Sequence, residues 1–156
     1  MILTVHILAG AAIGSRFSSP VAVFVLALFS HYLLDAIPHY EYKICEGRPQ
    51  IFQLPKVRFK HLLKIGADIA IGLALVFLLL RGSAFNPIIG WGIFSALLPD
   101  GLLTLYWIFP EQKILKLLAR PHQLVHFHKK IGLKWLGLTA EIIITVAAIF
   151  FLFFYA

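Results

Sequence analysis

Five apolar runs, at about residues 2–15, 20–38, 61–81, 87–109 and 134–155, take up most of the chain, and each is continuous rather than alternating. Runs of near-spanning length without a water-facing stripe predict helices in a bilayer. The expected fold class is therefore an all-α integral membrane protein with about five transmembrane helices in a single domain, residues 1–156. A closed barrel needs segments of about ten residues alternating apolar with polar, and these runs do not alternate. Only 13% of the residues are charged, against about 25% in a soluble domain. Cys45 is the single cysteine, so no internal disulfide can form. No basic leader precedes the first run, and no cleaved signal peptide is expected.

Charge placement sets the orientation. Six of the 14 Lys and Arg lie in residues 43–64 and six in residues 113–134, in two long loops that five spans put on one side. The positive-inside rule then predicts a cytoplasmic N-terminus and an outer C-terminus in the cell (inner) membrane. The net charge of +7 is accounted for by topology and by anionic head groups, not by nucleic acid. The expected partners are the bilayer and a lipid or lipid-linked substrate. Pro20 and Pro87 suit the first turn of a helix. Pro99, followed by Asp100 and Gly101, predicts a break in the fourth helix. Gly10-Ala11-Ala12-Ile13-Gly14 is echoed by Gly66 to Gly72, and Phe29 to Ala36 by Phe94 to Gly101, which suggests two related helical hairpins plus a C-terminal helix.

The polar residues inside these runs carry the functional signal. Ser30-His31-Tyr32-Leu33-Leu34-Asp35-Ala36-Ile37-Pro38-His39 closes the second run with His31 and Asp35 one helical turn apart on one face. His39 is a further turn on, but Pro38 disfavours helix at Ile37. His6 shares a face with Gly10 and Gly14, whose spacing lets helices approach closely in lipid. Asp68, Asp100 and Glu141 are carboxylates in otherwise apolar helices, each costing about 2.5–3.5 kcal/mol at mid-membrane unless partnered. By the predicted topology these acids and every histidine fall in the cytoplasmic half. Imidazoles mixed with carboxylates suit zinc, or manganese or iron. His6, His31, Asp35 and Asp100 are the expected ligands. Asp68 is expected as a ligand or general base, and His126 as a ligand or proton donor to the leaving group. His39, His122, His128 and Glu141 are candidate supporting contacts.

These pieces resemble the bacterial family of membrane-bound metal-dependent hydrolases. The resemblance rests on an early His6, on Leu98-Pro99-Asp100, on His126-Phe127-His128, and on Ser30-His31-Tyr32-Leu33-Leu34-Asp35. The Ser-His-x-x-x-Asp helix comes second here rather than late, and Gly101-Leu102 stands where a second Asp is usual. The resemblance implies metal-dependent hydrolysis, on a phosphoester or other lipid-linked substrate. A divalent-cation or proton transporter using the same cluster, or a non-enzymatic membrane protein, is the alternative. An intramembrane zinc protease is excluded, because the chain has no His-Glu-x-x-His.

Overall fold

The computed structural model describes residues 2–39, 52–80, 86–125 and 134–155, leaving aside the side chains of residues 134 and 155. Among them are six α-helices and no strand: α1 (Leu3–Arg16), α2 (Pro20–Ala36), α3 (Pro55–Leu79), α4 (Pro87–Ile108), α5 (Lys113–Val125) and α6 (Lys134–Tyr155). The all-helical expectation holds. Pro20 and Pro87 open α2 and α4, where a missing N–H costs nothing. The hydroxyl of Ser19 and the amide oxygen of Asn86 accept from Ala22 N and Ile88 N at 3.4 and 3.0 Å.

Three segments, Pro55–Leu79, Pro87–Ile108 and Trp135–Phe154, are long and apolar enough to cross a membrane, and α2 is a shorter apolar helix. At 1.5 Å per residue, the 14 residues of α1 cover roughly 20 Å, well short of a ~30 Å hydrocarbon core. It fills the centre of the bundle. Helices α2, α3, α4 and α6 all pack on α1, and Leu3, Val5, His6, Ile7, Leu8, Gly10, Ala11 and Gly14 are buried.

Helix directions follow from which residues meet. Val5 packs on Leu34 and His6 on His31, so α2 runs antiparallel to α1. Gly14 faces Ile89 while Gly10 faces Gly92, so α4 is also antiparallel. Asp68 meets Leu3 and Gly72 meets Ile7, which makes α3 parallel to α1. Ile144 lies against Val5, and Ala148 and Leu152 join Ile7, Leu8 and Ala11, so α6 is parallel as well. The two-hairpin expectation does not describe this packing. Helices α1 and α2 pair directly, whereas α1 stands between α3 and α4 and packs on both.

The α1–α4 crossing is made by glycine. A Cβ at Gly10 would lie 2.5 Å from Gly92 O and 2.8 Å from Ala96 Cβ, so the two backbones meet with no side chain between them. Gly92→Leu is expected to wedge α1 from α4 and lower stability by about 1–3 kcal/mol, read as an unfolding midpoint in detergent. Gly101 is the control, since a Cβ there would have no neighbour within 4 Å. Gly101→Ala gains up to about 1 kcal/mol of helix propensity.

The predicted break at Pro99 is corrected, because α4 is continuous from Pro87 to Ile108. Proline deprives the Ser95 carbonyl of its N–H donor and loosens one turn. Helices on both sides hold that turn: Ser95 and Ala96 are fully buried, and the Ala96 carbonyl accepts a hydrogen bond from α2. Helix α5 likewise continues through a proline, running from Lys113 past Pro121 to Val125. Pro121 lies on the exposed side of α5.

Candidate metal centre

Helices α1, α2, α4 and α5 each bring titratable side chains to one point beside Asp35. Asp35 and His31, one turn apart on α2, are 1% and 0% exposed. Oδ2 of Asp35 lies 3.2 Å from His31 Nε2 and 3.5 Å from His122 Nδ1. Those two ring nitrogens are 3.1 Å apart. His122, on α5, turns its other nitrogen, Nε2, to Asp100 Oδ1 at 3.4 Å. One donor atom each from His31, Asp35, Asp100 and His122 lies within 4.8 Å of the others, an arrangement that can hold a metal ion. His6 approaches from α1: its Nε2 is 3.3 Å from Asp35 Oδ1, and its ring stacks on His31 with centroids 4.2 Å apart.

The proton positions decide what this cluster can do. His31 Nδ1 is 2.7 Å from the Ala96 carbonyl, which only accepts, so Nδ1 carries the hydrogen and donates it. In neutral imidazole that leaves a lone pair on Nε2, directed toward Asp35 Oδ2 and His122 Nδ1. Proton placement on Nε2 of His122, toward the Asp100 carboxylate, leaves a second lone pair on Nδ1. Three acceptor atoms then converge with mutual separations of 3.1, 3.2 and 3.5 Å. Acceptors repel at that range unless a cation lies among them. Ligands about 2.0–2.2 Å from zinc stand roughly 3.3–3.6 Å from one another in a tetrahedron. Backbone carbonyl and carboxylate partners on the far nitrogens are the usual way a ligating histidine is oriented. Two carboxylates among neutral imidazoles carry two negative charges, which one divalent cation balances. The competing arrangement is a second proton on His122, bridging Asp100 and Asp35.

The remaining residues proposed from sequence have other places. Asp68 binds the start of α1: Oδ2 accepts from Leu3 N at 2.7 Å and Oδ1 from Thr4 N at 3.1 Å. The Thr4 hydroxyl is also 2.5 Å from Oδ1. It caps α1 from another helix, satisfying N–H groups that the first turn leaves without partners. Glu141, buried on α6, accepts from Ile2 N at 3.4 Å on the same end of α1. His39 lies beyond the end of α2, where its Nδ1–H donates to Ile37 O at 2.7 Å. His126 and His128 fall outside the described residues. His122, expected only as a supporting contact, belongs to the cluster itself.

Asp68→Ala tests the capping assignment. Removing both acceptors from buried amides is expected to cost about 1–3 kcal/mol and to leave metal content unchanged. Unfolding midpoints and metal analysis of the same sample read the two effects separately.

No family model, curated protein or solved structure matches the chain. The reading of the cluster therefore rests on its own geometry.

Proposed function

We propose that the chain is a membrane protein whose activity depends on a divalent metal, zinc favoured, and that it hydrolyses a phosphoester or other lipid-linked substrate near the cytoplasmic face. The observation that carries this is the convergence of His31 Nε2, Asp35 Oδ2 and His122 Nδ1, with the proton of His31 fixed on the far side by Ala96. These three side chains would hold the metal, and Asp100 would orient His122 or add a fourth ligand. His6, against the second oxygen of Asp35, would fix the carboxylate in place. A bound divalent cation supplies Lewis acidity toward a phosphoryl oxygen and acidifies water.

A lipid-phase substrate is favoured because the cluster draws Asp100 from α4, a helix long and apolar enough to cross a membrane. Asp100 is the member of the cluster with appreciable exposure, 23% at its side chain. On the outer face of α4, turned away from the cluster, Phe94, Leu97, Leu98, Gly101, Leu102 and Leu105 line an apolar groove of about 260 Å³.

The test is metal content and phosphate release from purified protein in lipid nanodiscs, with phosphatidate and related lipid phosphoesters as substrates. About one zinc per chain and a release that His31→Ala and His122→Ala abolish is the expected result. Protein free of stoichiometric metal, or release indifferent to both substitutions, would sink the hydrolase reading.

A further inference from the structure

Helix α5 presents three distinct faces. Leu115, Ala119 and His122 turn toward α4 and α2, and Ala119 and His122 are buried there. A second face carries Ile114, Leu117, Leu118, Leu124 and Val125 outward, with Ile114, Leu117 and Leu124 71%, 65% and 78% exposed. Between that face and the protein, on the remaining side, lie Lys113, Lys116, Arg120 and Gln123, all exposed. An α-helix places residues at 100° intervals, so these groups fall in separate arcs. A helix with an exposed apolar face flanked by basic residues has the composition of one that lies in the plane of a membrane interface. Its position agrees: α5 begins at Lys113, shortly after α4, a helix of spanning length, ends at Ile108.

We infer that α5 seats on an anionic lipid surface, and that this seating holds His122 in the metal cluster. The inference rests on the metal reading above for its second half only. The partner is a lipid surface, not a protein groove, because the outward apolar face is bordered by Lys113, Lys116 and Arg120 on a single side, as a head-group layer above an acyl boundary demands. Among the described residues, His122 is the one that α5 gives to the cluster. His31, Asp35 and Asp100 come from α2 and α4, which pack on each other directly. A shift of α5 thus removes one ligand while the other three keep their places. Membrane contact and metal affinity become coupled through a single helix.

The experiment uses the full chain in nanodiscs of pure zwitterionic lipid or with about a third anionic lipid. An environment-sensitive fluorophore is attached at Leu117→Cys, and separately at Leu124→Cys, each in a Cys45→Ser background. The label is expected to emit to the blue and to be quenched by brominated lipid but not by iodide. Quenching by iodide, or protection from both quenchers, would overturn the seating, the latter pointing to a protein cover. Zinc affinity of the wild type is expected to rise on the order of tenfold with anionic lipid, and Lys113→Gln/Lys116→Gln/Arg120→Gln to cancel that rise. An affinity indifferent to lipid charge would overturn the coupling. Wild type that binds no zinc in either lipid would defeat the metal reading and the coupling together, whereas the label reads the seating without metal.

Discussion

Asp35→Ala is expected to abolish zinc binding and, with it, the stabilisation that zinc confers. A ligand that binds only the folded protein adds RT ln(1 + [L]/Kd), about 2.7 kcal/mol at a hundredfold excess over Kd. Wild type should show that gain as a rise in unfolding midpoint, and Asp35→Ala should show none. His31→Ala should behave alike, because Nε2 of His31 and Oδ2 of Asp35 are adjacent candidate ligand atoms 3.2 Å apart. His39→Ala, beyond the end of α2, should keep the full response. The metal-free alternative predicts a different pattern. Were the cluster held by protons alone, removing Asp35 would leave buried imidazoles without their acceptor and cost about 3–5 kcal/mol. Wild type would then gain nothing from zinc. Unfolding with and without zinc separates the two cases, since only one predicts a zinc-dependent difference between wild type and variant.

The parts of the centre that were legible in the sequence are those whose spacing lies within one helix. His31 and Asp35 are one turn apart on α2, and their common burial follows from helix geometry once the run is read as a helix. His6 was legible through Gly10 and Gly14, because the glycines mark the face of α1 that α4 approaches. Register between helices is what the sequence does not carry. Asp68 and Asp100 give the same signal in sequence, a carboxylate in an apolar run. Only the parallel packing of α3 on α1 puts Asp68 at the amides that open α1, while the antiparallel packing of α4 brings Asp100 to the cluster. His122 is harder to place from sequence, because a proline at 121 commonly ends a helix. The helix continues past it where the proline ring faces outward, so Leu115, Ala119 and His122 form one inward-facing stripe. Pro99 is a related case. A proline disrupts an isolated helix, but here the neighbouring α2 takes up a carbonyl of the loosened turn through His31.

Asp100 decides how the centre is built, and the size of its effect distinguishes two geometries. If His122 ligates through Nδ1, its Nε2–H donates to Asp100 Oδ1, 3.4 Å away, and Asp100 acts through the imidazole. Losing such a partner costs about 10–100-fold in metal affinity, so Asp100→Ala should weaken zinc by that factor without abolishing it. Asp100→Asn keeps an oxygen that can accept the same hydrogen bond, and should lie within about tenfold of wild type. If Asp100 is itself a ligand, the neutral amide is a poor substitute for a carboxylate, and the two variants should lose zinc to the same extent. Titration of zinc into both variants, with His122→Ala as the reference for outright loss of a ligand, reads the difference directly. The first outcome would leave one coordination position for solvent or substrate beside His31, Asp35 and His122, the open arrangement of catalytic zinc. The second would close the coordination sphere with protein and shift the centre toward a structural role.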